Sequence, residues 1–298
     1  MILVDYSQVA LSAILTFQRE LKGTESEVKN LIRHVVLSTL KSYKKKYGGE
    51  YGDLVLACDG RKYWRREAFS YYKAARKKSR DASDLDWGLI FDTLNEMRID
   101  IAENFPYKVI HVDRAEGDDV IATLVSYLQD NELVKQGIVE EPQKVLILSS
   151  DKDFRQLQIY ENVRQWSPMQ KKYLNASHKE IADYKIEHIV KGDAGDGVPN
   201  ILSEDDIFMR DGDRQKPVSK KRLLEFFEKG QDACRNEQER RNWNRNAMLV
   251  SFDYIPKDVK QAIMDSYLNT VVNNDKMKIM NYLMENRCRL LLDEIEDF

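Results

Sequence analysis

The chain has 298 residues, 33% of them charged, and a formal net charge of −3 at pH 7. This length allows one large or two ordinary domains, and the small net charge gives no overall indication of a polyanion-binding protein. Three widely spaced cysteines and four scattered histidines argue against a disulfide framework and a zinc site, and they suit the reducing cytoplasm. No apolar run approaches the roughly 20 residues of a membrane helix, so no membrane partner is expected.

The first half of the chain alternates short apolar runs with helical patterns. Strands are predicted at residues 2–4, 54–58, 107–112 and 144–148. Helices are predicted between them, at about 26–46, 85–103 and 117–130. Such alternation is typical of a mainly parallel central sheet flanked by helices, so the predicted fold class is α/β.

The second half of the chain contains helical patterns without strands. Helices are predicted at 179–191, 219–229, 234–249, 257–272 and 276–293. The stretch 200–217 is polar and irregular and is predicted to be a loop. We therefore expect an α/β domain over residues 1–180 and a helical domain over residues 181–298.

Each predicted strand is followed by acidic residues. The four strands are followed in turn by Asp5, Asp59, Asp113 and Asp151, and Asp153 comes two positions after the last of these. Ligands of open α/β sheets bind beyond the carboxyl ends of the strands, so a shared acidic edge is expected. For Asp151 and Asp153 the alternative is an ordinary helix N-cap after the strand.

Two further acidic groups lie outside the strand ends. The segment "RAEGDDV" places Glu116, Asp118 and Asp119 at a predicted helix start. The alternatives are that acids in a first helical turn favour the helix dipole and that residues 117–119 are a simple turn. The segment "KGDAGDGVP" places Asp193 and Asp196 in a glycine-rich loop, where an ordinary turn is the alternative.

A gathering of these acids at one edge requires cations or shifted pKa values, because two carboxylates about 4 Å apart repel by ~4 kcal/mol at an effective dielectric of 20. Oxygen ligands without His or Cys select hard cations. We therefore predict phosphoryl chemistry with two Mg²⁺ ions, for which Mn²⁺ can substitute, about 3.5–4 Å apart. The candidate ligands are Asp5, Asp59, Glu116, Asp118, Asp119, Asp151, Asp153, Asp193 and Asp196.

A basic stretch follows the second strand. Residues 61–80 read "RKYWRREAFSYYKAARKKSR", with nine basic residues and one acid. Five aromatics are interleaved, and this combination is typical of a channel for single-stranded nucleic acid. The alternative is a solvated charged helix with a few core aromatics. Nucleic-acid contacts are predicted for Arg61, Lys62, Arg65, Arg66, Lys77 and Lys78.

Together these motifs resemble the 5′-nuclease (flap endonuclease) family over nearly the whole chain. The likeness is carried by segments that include "LVDYSQVALS", "CDGRKYWRREAFSYYKAARKK", "AEGDDVIATL", "LILSSDKDFRQL" and "IVKGDAGDGVPN". It implies a PIN-like nuclease fold with a helical arch over about residues 61–86 and an all-helical C-terminal domain. It also implies 5′-3′ exonuclease, flap endonuclease and ribonuclease H activity. Such an enzyme removes RNA primers and adjacent DNA during phage-type DNA replication in the host cytoplasm.

The resemblance also implies roles for individual residues. The tighter metal site and its surroundings correspond to Asp5, Asp59, Glu116, Asp118 and Asp151. The second metal site corresponds to Asp119, Asp153, Asp193 and Asp196. The catalytic arch motif corresponds to Tyr72, Lys73 and Arg76. In that motif the Lys and the Arg approach the scissile phosphate, and the tyrosine is expected to stack on a base.

The resemblance implies partners as well. Lys216, Lys220, Lys221 and Arg222 are expected to meet duplex phosphates in a region like the family's helix–three-turn–helix, although the glycine-rich turn that binds a potassium ion in the family is absent after Pro199. The expected substrates are flapped, nicked or forked DNA and RNA/DNA duplexes. A single-stranded-DNA-binding protein is the expected protein partner. Because the chain begins almost at the first strand, no sliding-clamp-binding tail is expected. The protein is expected to be a monomer.

Three rival interpretations remain open. A polymerase palm requires its acidic pair in a β-hairpin turn, whereas "EGDDV" opens a predicted helix. A small PIN-type ribonuclease shares the acidic edge but leaves the basic stretch and the helical C-terminal third unexplained. A non-catalytic, structure-specific DNA-binding protein retains the acids only as relics.

Overall fold

The computed structural model describes residues 1–81, 83–130, 141–210 and 212–298, and within these it leaves the side chains of residues 77–79 undescribed. The chain forms two compact units. The first unit contains Met1–Arg61, Asp84–Asn175 and Asp258–Phe298, and the second contains Lys62–Ser83 and Ala176–Lys257. The units interleave in sequence, whereas the predicted domains are continuous, and the boundary at residue 180 stays a prediction.

The first unit is built on a six-stranded sheet. Its strands are β1 (Ile2–Asp5), β2 (Leu54–Cys58), β3 (Lys108–His111), β4 (Val145–Leu148), β5 (Val163–Ser167) and β6 (Lys172–Leu174). The spatial order is β3-β2-β1-β4-β5-β6; all neighbouring pairs are parallel except β5 with β6. The predicted α/β fold class with a mainly parallel sheet is therefore confirmed. The two last strands were not predicted, because each is short and mixes polar with apolar residues.

The described helices are numbered in chain order. They are α1 (Tyr6–Ile14), α2 (Glu25–Tyr51), α3 (Trp64–Ala68), α4 (Arg76–Asp81), α5 (Trp87–Asn104), α6 (Gly117–Gln129), α7 (His178–Lys191), α8 (Lys220–Lys229), α9 (Glu237–Val250), α10 (Lys257–Asn269) and α11 (Lys276–Glu285). Among the residues so described, no helix is both long and apolar enough to cross a membrane.

The helices differ from the prediction in two places. Helix α1 was not predicted; Asp5 caps it by accepting a hydrogen bond from the N–H of Gln8. The last predicted helix, at 276–293, is wrong in its second half. Helix α11 ends at Glu285, Arg287 has a positive φ of 58°, and a separate 3₁₀ helix follows at Arg289–Asp297. A left-handed residue ends the α-helical hydrogen-bond pattern.

The core of the first unit lies between the sheet and its helices. Alternate residues of the strands, such as Val4, Leu56 and Leu148, belong to one hydrophobic cluster with residues of α1, α2, α5 and α11. Helix α6 packs against β1 and β2. The second unit has its own core, in which the rings of Phe226 and Trp243 stack 5.4 Å apart. Each unit therefore positions its own set of candidate site residues.

Candidate active site

Three predicted metal ligands of the first unit follow neighbouring parallel strands. Asp5 is the last residue of β1, Asp59 directly follows β2, and Asp151 comes shortly after β4. The register places Val4 beside both Leu56 and Leu148, so the carboxyl ends of the three strands lie level at one edge of the sheet. Parallel pairing therefore brings to one edge three acids that are far apart in the sequence.

The Asp5 carboxylate is the most buried of the three, with 8% of the residue exposed. Burial, the negative charge of Asp59 and, to a smaller extent, that of Asp151 raise the pKa of Asp5 to about 7. The Ser149 hydroxyl, which donates to Oδ2 at 2.8 Å, and the N–H of Gln8, which donates to Oδ1 at 3.2 Å, lower the same pKa. Asp5 therefore keeps its proton to a higher pH than an ordinary aspartate does, and a nearby cation would favour its ionised form.

The acids at the start of α6 serve as its cap. Glu116 is the N-cap residue, its side chain accepts from the backbone three residues on, and its own N–H donates to Asp119 Oδ2 at 3.0 Å. The N–H of Gly117 donates to Asp59 Oδ1 at 2.9 Å, which connects this helix start to the end of β2. Glu116 and Asp119 are buried, and Asp118 is half-buried in the first helical turn. Glu116 and Asp119 therefore have a structural role at the helix start, and the bond from Gly117 places that start beside Asp59.

The loop after β4 is organised by the carboxylate of Asp151. Its Oδ1 accepts a hydrogen bond from the N–H of Asp153 at 2.9 Å, and Asp153 begins the 3₁₀ helix Asp153–Ile159. Asp151 is exposed and Asp153 is half-buried. The N-cap residue of this helix is Lys152 and no side chain caps it, so the capping alternative is wrong here; Asp151 instead holds the turn that precedes the 3₁₀ helix.

The second unit carries Asp193 and Asp196 in a tight turn after α7. Asp193 and Val198 exchange backbone hydrogen bonds of 2.9 and 2.7 Å, and Asp193 Oδ1 accepts from the N–H of Gly195 at 2.8 Å. Oδ2 of Asp193 lies 3.2 Å from Nε2 of His188, and this contact is the main cause that lowers the pKa of Asp193. The turn interpretation is correct for the backbone. The contact with His188 favours the ionised form of the Asp193 carboxylate.

The three residues predicted to be catalytic all contact Asp196 within the second unit. The Tyr72 hydroxyl donates to Oδ2 at 3.0 Å, the Lys73 Nζ lies 3.6 Å from Oδ2, and the Arg76 guanidinium pairs with Oδ1. The N–H of Lys73 also donates to the carbonyl oxygen of Asp196 at 2.7 Å. A Cβ on Gly197, whose φ is +72°, would lie 2.8 Å from the carbonyl oxygen of Tyr71, so only glycine fits this close approach.

Three of the five aromatic residues of the basic stretch are buried, and the other two, Tyr63 and Tyr71, are half-buried. Phe69 and Tyr72 are buried with Val198 and Leu249, and Trp64 is buried as well. The expected stacking of the Tyr72 ring on a base is incompatible with this burial, because a base could not reach the ring without opening the core. The alternative of core aromatics within a charged segment is therefore the correct description of these side chains.

The predicted nucleic-acid contacts differ in accessibility. Arg65 is only 3% exposed, and its Nε donates to the carbonyl of Leu249 at 2.9 Å, so a phosphate contact would require this bond to break. Arg222 is buried between Glu225 and Glu239, with which it forms ion pairs. The other described members of the predicted set are exposed: Arg61, Lys62, Arg66, Lys216, Lys220 and Lys221. The side chains of Lys77 and Lys78 lie outside the described residues.

Two buried residues beside the acidic edge were not predicted from the sequence. Ser149 and Gln165 are each 0% exposed, and both form hydrogen bonds in the loop that carries Asp151. The sequence signal was present for one of them, since a glutamine alternates with Val163 and Ser167 on the buried face of β5. The contact between His188 and Asp193 was not predicted either, because the four histidines are scattered along the sequence.

Comparison with known proteins identifies the family. A model of the 5′-3′ exonuclease N-terminal, resolvase-like domain matches residues 1–187, which is more than half of the chain. The chain belongs to the 5′-3′ exonuclease family. A second model, of the C-terminal part of T4 RNase H, matches residues 180–298. The predicted resemblance to the 5′-nucleases is therefore confirmed over nearly the whole chain.

Individual members of the family are similar in sequence and in fold. Ribonuclease H of Enterobacteria phage T4 is 32% identical over 304 aligned positions, covering 99% of this chain and 95% of that protein. A structure of T5 5′-exonuclease with divalent zinc ions superposes with a TM-score of 0.58 at 16% identity, covering 91% of this chain and 98% of the other. A T5 flap endonuclease variant complexed with DNA and metal ions superposes with a TM-score of 0.55 at 15% identity, covering 90% and 97%.

The acids of the first unit have the chemistry of a hard-cation site. They offer carboxylate oxygens, the ligands that Mg²⁺ and Mn²⁺ prefer. Burial is the largest cause of the raised pKa of Asp5, and the negative charges of Asp59 and Asp151 raise it further. A divalent cation at this edge would relieve that repulsion, so these residues fit a metal.

Proposed function

We propose that this chain is a metal-dependent, structure-specific 5′-3′ exonuclease and flap endonuclease with ribonuclease H activity. The observation that carries the proposal is the acidic edge of the first unit, where Asp5, Asp59 and Asp151 follow three neighbouring strands in a chain of the exonuclease family. The likeness to phage T4 ribonuclease H, and the metal ions and DNA bound by the T5 neighbours, support this assignment.

The proposed metals are two Mg²⁺ ions, for which Mn²⁺ can substitute. Asp5, Asp59 and Asp151 would hold metal directly, and Glu116, Asp118, Asp119 and Asp153 would complete the set of acids in the first unit. When bound, such ions lower the pKa of a water molecule and offset negative charge on a phosphodiester. Asp193 and Asp196 belong to the second unit, and their predicted part in the second metal site stays a prediction.

The side chains of this protein would divide the remaining work between them. The carboxylates would hold the metals, and hydrogen bonds from Ser149, Gln8 and Gly117 orient two of these carboxylates, Asp5 and Asp59. Lys73 and Arg76 would offset charge on the scissile phosphate. Water attacks phosphorus, the bond to the 3′ oxygen breaks, and the products carry a 5′-phosphate and a 3′-hydroxyl. Tyr72 would act through its hydroxyl, which orients Asp196, and not through its buried ring.

The proposed biological role follows the phage likeness. The substrates would be flapped, nicked or forked DNA and RNA/DNA duplexes, from which RNA primers and adjacent DNA are removed during phage-type replication in the host cytoplasm. The protein would act as a monomer, with a single-stranded-DNA-binding protein as its partner. The exposed Lys216, Lys220 and Lys221 would meet duplex phosphates, so affinity for the duplex would fall as the salt concentration rises.

One rival keeps a specific observation in its favour. The Glu116–Asp119 capping box gives two of the acids a structural function, as a non-catalytic DNA-binding protein would allow. The polymerase-palm interpretation is contradicted, because Asp118 and Asp119 lie in the first turn of α6 and not in a hairpin.

A cleavage assay separates the nuclease from the non-catalytic rival. Full-length protein is incubated with a 5′-flapped duplex and an RNA/DNA duplex, each labelled at the 5′ end, in Mg²⁺ and in EDTA. We expect Mg²⁺-dependent cleavage that Asp151→Asn abolishes. The variant should still bind the duplex in Ca²⁺, because a carboxylate does not attract the phosphate backbone of the nucleic acid. Binding without cleavage by the wild-type protein would favour the rival. A strong loss of binding in Asp151→Asn would remove this residue from the proposed metal role.

A further inference from the structure

Buried polar side chains form hydrogen bonds with the loop that carries Asp151. Gln165 on β5 is fully buried, and its Nε2 donates to the carbonyl oxygens of Ser149 at 3.0 Å and Asp151 at 2.6 Å. Its Oε1 accepts a hydrogen bond from Gln158 at 3.1 Å. The amide of one side chain therefore fixes two carbonyl groups on either side of Ser150.

Ser149 links the ends of two strands through its hydroxyl group. The hydroxyl donates to Asp5 Oδ2 at 2.8 Å and accepts from the N–H of Asp151 at 3.1 Å. It thus uses both its donor and its acceptor capacity, and it is fully buried. One side chain consequently couples the carboxylate at the end of β1 to the main chain that carries the acid after β4.

A buried hydroxyl or amide group costs free energy unless it forms hydrogen bonds inside the protein. A buried hydroxyl or amide must recover its lost hydration through internal bonds, and the net gain is small. Alanine at position 149 and an apolar side chain at position 165 would fill similar space without that requirement. Ser149 bonds to the Asp5 carboxylate and to the N–H of Asp151, and one of the bonds made by Gln165 also reaches the backbone of Asp151.

We infer that Ser149 and Gln165 are positioning residues for the metal-binding carboxylates. Ser149 sets the orientation of Asp5, and Gln165 sets the path of the loop that carries Asp151. Neither side chain touches metal or substrate in this role, which is comparable to that of the outer partners that orient metal ligands in other sites. The inference rests on the proposed function, because it requires a metal at the acidic edge.

The test measures Mn²⁺ binding by calorimetry on the full-length protein, together with cleavage of the 5′-flapped duplex. The variants are Ser149→Ala and Gln165→Met, which remove the hydrogen bonds at little change in volume. Ser167→Ala is the matched control: Ser167 is also fully buried in the first unit, but its hydroxyl bonds to Ser150 and the N–H of Gln170 and to no carboxylate.

We expect Ser149→Ala and Gln165→Met to weaken Mn²⁺ binding by about 10- to 100-fold, as loss of an outer-shell partner typically does. Cleavage should recover as Mn²⁺ is raised, and binding of the duplex in Ca²⁺ should stay as in the wild type. Ser167→Ala should keep wild-type Mn²⁺ affinity. Recovery by excess metal is the result that a purely structural role of the two residues would not produce.

Unchanged Mn²⁺ affinity in both variants, with normal binding by the wild type, overturns this inference alone. If Ser149→Ala does not fold, Gln165→Met decides by the same criterion. A wild-type protein that binds no Mn²⁺ overturns the proposed metal site and the inference with it, so the two failures are distinguishable.

Discussion

Lys73 and Asp196 are joined twice within the second unit. The N–H of Lys73 donates to the carbonyl oxygen of Asp196 at 2.7 Å, and its ammonium lies 3.6 Å from the Asp196 carboxylate. Lys73 has a φ of 55°, which is uncommon outside glycine and indicates that its surroundings hold it in place. The two cations predicted to meet a phosphate, Lys73 and Arg76, are therefore both paired with one acid, Asp196.

The first prediction concerns the salt dependence of nucleic-acid binding. Replacing both Lys73 and Arg76 by alanine should flatten the plot of log affinity against log salt, by ~0.9 per lost contact to duplex or ~0.7 to a single strand. The measurement is a salt titration of oligonucleotide binding in Ca²⁺. Arg210→Ala is the control, since Arg210, like Arg76, is exposed in the second unit and paired with an acid, but it is not predicted to meet a phosphate. An unchanged slope in the double variant would remove both residues from the phosphate path.

The second prediction concerns Gly197, which touches the carbonyl of Tyr71. Gly197→Ala should lower the free energy of unfolding by about 1–3 kcal/mol, because the added Cβ meets a backbone oxygen and the positive φ disfavours alanine. Gly212→Ala separates the two causes, since Gly212 has a φ of +85° and open space around its Cα. Urea unfolding of both variants is the measurement. Equal losses would mean that the contact with Tyr71 contributes nothing.

The third prediction concerns pH and Asp5. Its folded pKa is about 7 against a usual 3.8, so the folded state keeps a proton that the unfolded chain releases between about pH 4 and 7. The contribution of this group to stability is therefore lost as the pH rises through that window, by on the order of 4 kcal/mol at roughly 1.4 kcal/mol per unit. Urea unfolding in EDTA from pH 5 to 8 should show the decline in wild type relative to Asp5→Asn. Parallel pH profiles of the two proteins would contradict it.

The fourth prediction concerns repulsion between Asp5 and Asp59. Asp59→Asn keeps an oxygen acceptor for the N–H of Gly117 but removes a negative charge that raises the pKa of Asp5. We expect the metal-free variant to be more stable than wild type above pH 7 and to bind Mn²⁺ more weakly. Asp113→Asn is the control, because Asp113 follows β3 but is exposed. Equal stability of Asp59→Asn and wild type would mean that the two carboxylates do not repel measurably.

The sequence was sufficient for features that depend on neighbouring residues. Four consecutive apolar residues in β4 predict a strand buried on both faces, and acids directly after strands predict an acidic edge once the strands are parallel. The motif-based resemblance extended this to the family, which the comparisons confirm. These inferences need only short-range pattern and the rule that the ends of parallel strands meet.

The sequence could not decide which side chains meet across long separations. It gave no reason to expect that the Ser149 hydroxyl would bond to Asp5 or that Arg65 would be buried, and it left open whether Tyr72 belonged to a core or to a stacking surface. Such contacts are set by packing between elements distant in the chain, and a local pattern carries no information about its eventual partner. The sequence by itself determined which residues are acidic, basic or apolar at each strand end and helix start. Only the tertiary structure decided which of them share a hydrogen bond, because burial forces every polar group to find the partner that packing places beside it.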